Sequence, residues 1–515
     1  AKYSTHYREL HGDVTFMSPQ WRELVRHAVS EINRLGLELS ILNSEGWGQG
    51  GGPWVQPAQS MQKVVWSEAQ LRGGQRVSLN VRRPVPEPQY FKDIALLAFP
   101  TPPGDLLSLR PKFSVSTQIT APPSRSPQAE PALFTMPLPT PRRPQWIQLD
   151  FGQSRTASSV YIGINDMRDN TDPARWEDAP YLDPAGKKAL SEIPGPHYWE
   201  LQASDDGTEF RPIGRVSSHG TSSFSETKAR FFRIWMPVPP PLEKPLPIAE
   251  TEPMEITAVV LSGPRIDRAE TRAGKYIDWE IREFSNAADS PGSVTPGASV
   301  INLTGRTEWD APAGEWTLLR IGHASTGATI NNGGVGGLEV DKLSRDAVMH
   351  HLTDGMLGKV ISDARPLVGV TLKNILCDSW ERGYGNWTPF LPEEFEKRRG
   401  YSLDPWLPAL TGRMVESSEA SERFLWDFRR TLGDLLADNY YGSLQQYARD
   451  NHLGVYAEAT GHFLPGLADQ LQCKGRIDVP MGEFWSGRRD VDDAKEAASA
   501  AHIYGKRLAA AESFT

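Results

Sequence analysis

With 515 residues, 39% of them hydrophobic and 23% charged, the chain has the composition of a globular protein of about three domains. A net charge of −9 argues against nucleic acid or an anionic membrane as the main partner, and no apolar run approaches the roughly 18–20 residues of a membrane span. The two cysteines, Cys377 and Cys473, sit in apolar contexts without metal-ligand spacing and read as buried free thiols.

The chain opens on AKYSTHYREL, with neither a methionine nor a signal peptide, and closes on Glu512-Ser-Phe-Thr at the mouth of a strand. Both ends are those expected of a fragment. The compartment is not legible from this chain; a bacterial-type periplasmic or secreted setting is expected. Ser18 and Pro19 supply an N-cap and a first-turn proline. Apolar residues from Trp21 to Leu35 then keep helical period until Gly36, and Leu37–Leu42 reads as a buried strand. In the loop that follows, Gly46, Gly48 and Gly51 formally satisfy a dinucleotide fingerprint. That fingerprint needs a helix opening at the third glycine, and here Gly52, Pro53 and Trp54 follow, with a helix expected only from Pro57. A glycine-rich loop edged by Trp47 and Trp54 suits the wall of a sugar pocket better.

Residues 1–68 and 337–515 have α/β texture, and the segment between them is all-β. It divides into a proline-rich region (69–140), a β-sandwich (141–265) and a β-rich connector (266–336). Within the sandwich, Trp146–Ile164, Tyr198–Val216 and Ala229–Met236 resemble the discoidin-like, galactose-binding-like jelly roll. In it Ser204-Asp-Asp-Gly-Thr would be a hairpin turn. Such domains bind sugars in some proteins and brace a catalytic domain in others.

From Gly337 a helix is expected over Ser344–Ile361, a strand over Leu372–Cys377 and a helical region over Glu419–Asp450. Strands at Leu453–Glu458 and Gly482–Phe484, a helix at Asp492–Leu508 and a last strand ending at Glu512 follow. Unalternating apolar strands separated by helices make a buried parallel sheet. The fold that fits is an incomplete (β/α)8 barrel carrying the β region as an insertion.

Asp378, Glu381, Glu458, Glu483 and Glu512 each end or follow one of these strands, and in a barrel such positions converge on one mouth. Each alone can be a salt bridge or a helix cap. Together they supply the protonated acid and ionised base that glycoside hydrolysis needs across the scissile bond. Mutual repulsion raises some of their pKa values, which keeps an acid protonated near neutral pH. Five carboxylates exceed that need, and the surplus either points to a hard cation, calcium rather than zinc, or orders arginines such as Arg382 and Arg488. His462 is placed to meet sugar hydroxyls, as is His502, though its helical setting makes it structural; Trp47, Trp380 and Trp485 are placed to stack on sugar faces.

These residues, with Asn43-Ser-Glu-Gly-Trp, Gly337-Leu-Glu-Val-Asp-Lys, Cys377-Asp-Ser-Trp-Glu, Tyr456-Ala-Glu, Met481-Gly-Glu-Phe-Trp and Ala511-Glu-Ser-Phe-Thr, resemble glycoside hydrolase family 106, the α-L-rhamnosidases. The resemblance covers about half the chain. It implies a calcium-dependent, inverting exo-enzyme that releases terminal α-L-rhamnose from plant glycosides or polysaccharides, with the visible strands the third to seventh of the barrel. It also implies that Glu381 is the general acid and Glu512 the general base, with Asp378 in support and calcium held around Glu458 and Glu483. A family member lacking strands is expected to be inactive or poorly folded alone, because an open barrel exposes strand edges. A retaining glycosidase on another sugar and a non-catalytic carbohydrate-binding protein are the alternatives.

Overall fold

The computed structural model describes residues 14–44, 49–85, 90–102, 104–106, 109–119, 132–137, 144–165, 199–217, 220–236, 253–275, 293–329, 336–380, 385–460, 467–484 and 492–513. Five strands form one parallel sheet: β1 (Leu39–Leu42), β2 (Leu372–Cys377), β3 (Gly454–Ala457), β4 (Val479–Phe484) and β5 (Ala510–Ser513), in that spatial order. Chain order and spatial order coincide, so each crossover returns to the neighbouring position.

The first helix, α1 (Pro19–Arg34), starts where expected. The Ser18 hydroxyl accepts the Trp21 amide at 3.2 Å, Pro19 needs no partner for a missing N–H, and Gly36 takes the left-handed conformation that ends the helix. Helices α2 (Arg345–Asp354) and α3 (Met356–Ala364) replace the single helix expected over Ser344–Ile361. Gly355 separates them with an extended backbone. Arg22 of α1 grips Asp363 of α3 with two hydrogen bonds of 2.6 and 2.7 Å, which fixes α1 over the sheet. The region from Glu419 to Asp450 is α4 (Ser418–Leu435) and α5 (Gly442–Asp450) joined by a π turn over Leu436–Tyr441. The last crossover is α6 (Asp492–Ile503). No described helix is long and apolar enough to cross a membrane.

One expected helix is a correction. After a single 3-10 turn at Pro57–Gln59 the chain becomes a strand, Gln62–Arg72, paired residue by residue with Glu315–Ser325. A proline at the first position suits either helix type, and cross-strand pairing of Val64, Val65 and Trp66 decided the continuation. This strand belongs to a four-stranded antiparallel sheet with Phe91–Pro100, Ile301–Asn302 and Glu315–Ser325. Leu97, Phe99, Leu319 and Ile321 from that sheet share one buried core with Leu372, Ile375, Val455, Phe424 and Phe428 of the α/β layer.

A second, seven-stranded antiparallel sheet carries its own core, with Ile147, Leu149, Val160, Leu201, Phe232 and Ile234 fully buried. Trp146–Ile164 lies in one long strand, Gln145–Asn165, and Trp199–Ser204 pairs with Arg211–Val216 as a hairpin. At the turn the Asp206 carboxylate accepts the amides of Thr208 (2.8 Å) and Glu209 (3.0 Å), as the Ser-Asp-Asp-Gly-Thr run leads one to expect.

The β and α/β parts meet at a buried charge cluster. The Arg413 guanidinium, 2% exposed, binds both carboxylate oxygens of Glu68 and lies 3.5 Å from Asp105, which also accepts from Arg265 at 3.0 Å.

Candidate active site

The register of the parallel sheet puts the strand-end carboxylates on one face. Leu376 and Cys377 pair with Tyr456 and Ala457, so one further residue sets Asp378 beside Glu458. Ala457 pairs with Pro480, which sets Glu458 beside Met481; Glu483 lies two residues further and pairs directly with Glu512. With a side-chain period of two, all four carboxylates point the same way.

Three of them converge. Oxygens of Asp378, Glu458 and Glu512 lie within 4.8 Å of one another. A flat sheet would hold the strands that carry Asp378 and Glu512 about 14 Å apart, more than the two side chains can bridge. The sheet is therefore curled, concave toward this face. Glu483 stands next to the group but outside it; its amide donates to Asp493 at the start of α6 (2.7 Å). Asp493 is in turn held by buried Lys474 at 2.7 Å.

Electrostatics follow from this crowding. Glu458 is buried, and burial, followed by the charges of Asp378, Glu512, Glu483 and Asp493, pushes its carboxyl up to about 10. Its Oε1 atom has no hydrogen-bond partner among the described residues. Such a group either keeps its proton or meets a cation. Oxygens bound to one calcium at about 2.3–2.6 Å can lie at most about 5 Å apart, so the trio fits a hard cation. The chemistry of the set fits too, since all three donors are carboxylate oxygens.

Other expected site residues fall elsewhere. Trp380 is buried in the core, its amide donating to the Ala459 carbonyl at 3.0 Å and the Lys342 ammonium standing 5.0 Å over its ring. Lys342 is itself buried and ion-paired with Glu339. Trp54 is half-buried against the junction of α2 and α3, where its indole N–H donates to His351 Nδ1 at 3.0 Å. Burial holds the His351 pKa down to about 3, so the imidazole is neutral and free to accept. Glu381, Trp47, His462 and Trp485 lie outside the described residues.

Residues that sequence reasoning passed over surround the trio. Gln49 donates from its side-chain amide to two main-chain carbonyls there, and the Lys342 ammonium faces the Trp380 ring. Gly337 lets the Gly-Leu-Glu-Val-Asp-Lys run approach the glycine loop: at φ +133° a Cβ would fall 2.1 Å from the carbonyl carbon of Gly52. The density of glycines in the loop was the available signal; nothing in the composition marks Gln49.

A family model described as alpha-L-rhamnosidase, glycoside hydrolase family 106, matches residues 5–515. The chain belongs to that family. Among solved structures, a rhamnosidase from Novosphingobium sp. PP1Y superposes on this family 106 chain with a TM-score of 0.76 and 31% identity, over 97% of this chain and 47% of that one. A protein of Formosa agariphila named putative beta-glucuronidase is 30% identical over 507 residues, 98% of this chain and 30% of the relative. The chain thus spans about half the length of the solved rhamnosidase and about a third of the Formosa protein.

Proposed function

We propose that the protein carrying this chain is an inverting exo-glycoside hydrolase that releases terminal α-L-rhamnose from glycosides or polysaccharides. The observation that carries the reading is the convergence of Asp378, Glu458 and Glu512 at the carboxyl ends of parallel strands in a family 106 chain. The curl of the sheet supports a (β/α)8 barrel of which these five strands are the third to seventh. The seven-stranded sheet supports a galactose-binding-like jelly roll that braces it.

In this reading Glu381 protonates the glycosidic oxygen. Glu512, less buried than Glu458, takes a proton from water on the opposite face of the sugar. Asp378 and Glu458, with one oxygen of Glu512, would hold calcium; Glu483 sits beside them, fixed by Asp493. Bound calcium would supply positive charge for vicinal sugar hydroxyls. Buried Lys342 stands against the ring of Trp380, the residue before Glu381 in the chain.

The name of the Formosa relative raises a second reading, cleavage of a β-glucuronide. Charge opposes it. Among the described residues a uronate would enter beside four carboxylates, and the nearby buried ammonium groups are already engaged, Lys342 by Glu339 and Lys474 by Asp493 and Glu496.

The test offers the intact protein an aryl α-L-rhamnoside and an aryl β-D-glucuronide, with and without a chelator, and follows the released anomer by NMR. Rhamnose released first as the β-anomer, and lost on chelation, is the expected result. Release of glucuronate alone would overturn the reading, and retention of configuration would overturn the inverting mechanism.

A further inference from the structure

Gln49 lies within the glycine loop after β1 and is buried with every polar atom of its side chain engaged. Nε2 donates to the carbonyls of Asp378 and Ala459, both at 2.5 Å, and Oε1 accepts the Tyr441 hydroxyl at 2.9 Å. Its main-chain carbonyl accepts the Tyr440 hydroxyl and, at 2.6 Å, the Asn43 amide. One side chain therefore spans the ends of β2 and β3, touching the residue that bears one carboxylate and the residue next to another.

Two features show that this tie holds the backbone in a position it would not otherwise keep. Ala459, directly after Glu458, has φ +63°, a left-handed conformation that costs a non-glycine residue about 1 kcal/mol or more. Its carbonyl is gripped from two sides, by Gln49 Nε2 and by the Trp380 amide. The second feature is the π turn that presents Tyr440 and Tyr441. An α-helix rotates successive side chains by about 100°. The wider i→i+5 turn brings two consecutive, fully buried tyrosines to one residue, their rings 4.9 Å apart and edge to face. Burial raises both phenols well above their ordinary range, so both remain donors.

We infer that Gln49, clamped by the π-turn tyrosines Tyr440 and Tyr441, is a positioning residue that sets the separation of Asp378 and Glu458. The inference rests on the reading of that carboxylate cluster as the reacting centre. Two variants of the intact protein test it. Gln49→Met keeps the volume and removes both donors; Tyr441→Phe removes only the hydroxyl that orients the amide. In Gln49→Met, calcium affinity measured without substrate by terbium displacement should fall about 10–100-fold, with kcat for an aryl rhamnoside falling similarly. With calcium kept saturating for both proteins, KM should stay within about threefold, because positioning acts on the reaction rather than on sugar binding. Tyr441→Phe should move the same quantities less, and it decides the matter if Gln49→Met does not fold. Exchange of the Trp380 amide, whose acceptor is the tied carbonyl, should quicken about tenfold in either variant. Calcium affinity, kcat and amide exchange all within about twofold of the unaltered protein would overturn the inference. If the unaltered protein neither binds calcium nor releases rhamnose, the site reading falls, and the exchange rate alone still decides the role of Gln49.

Discussion

Glu458 and Glu512 bring carboxylate oxygens within 4.8 Å of each other although strand β4 stands between the strands that carry them. The contact is made across the concave face of the sheet, with Asp378 as its third member. Folding has brought like charges together in a partly buried space, which is unfavourable unless a proton or a cation compensates.

Calcium should therefore stabilise the protein. Millimolar calcium is expected to raise the thermal midpoint of chelator-treated protein, as any ligand of the folded state does by mass action. Glu458→Gln should abolish that shift without lowering the midpoint of the calcium-free protein, because glutamine fills the same space without the charge. Calorimetric scans with and without calcium give the comparison. An undiminished calcium shift in the variant would remove Glu458 from the ligand set.

Glu512→Gln is expected to lower kcat for rhamnose release by about 10²–10⁴-fold, the usual contribution of a general base. Inhibition by free rhamnose should persist, since the amide still accepts hydrogen bonds. Turnover at the unaltered rate would show that another residue takes the proton.

Asp341 predicts a pH dependence of stability. Burial raises its carboxyl from 3.8 to about 7 in the folded protein. Between those values the folded state keeps a proton that the unfolded chain has released. The contribution is complete below 3.8, declines as pH rises, and is lost above about 7. Asp341→Asn should flatten this part of the profile. Urea midpoints collected from about pH 4 to about pH 8 would reveal it.

Removing Arg413 should loosen the junction of the β and α/β parts. Arg413→Met leaves Glu68 and nearly inaccessible Asp105 without the guanidinium between them. A loss of about 3–5 kcal/mol is expected for breaking such a buried pair. Adding Glu68→Gln to Arg413→Met should recover part of it, since the stranded charge is then removed. Denaturant titrations of the single and double variants measure both effects, and additive losses would contradict coupling.

Much of the fold was legible because its signals are local. Leu372–Cys377 reads as a strand because it is apolar, short and followed by charge, and the structure places it over those residues. The Ser204–Thr208 turn is equally local, its amides satisfied by the Asp206 side chain. The expected helix at Pro57 failed for the opposite reason, since long-range pairing with Glu315–Ser325 overrode a terminus signal shared by two helix types. The helical period running through both outweighed Gly355 as a breaker and concealed the π turn at Leu436–Tyr441, which leaves no residue signature.

The same division applies to the candidate site. By itself the sequence determined that acidic residues stand at the ends of parallel strands, because strand period and strand termini are set by residues close in the chain. It could not group them. Pairing Glu458 with Asp378 and Glu512, and leaving Glu483 at the side, depends on how far the sheet curls. That curl comes from packing of helices and the four-stranded sheet against strands drawn from distant parts of the chain. Only the tertiary structure fixes a distance of a few ångströms between strand ends, and only there does Gln49 become part of the site.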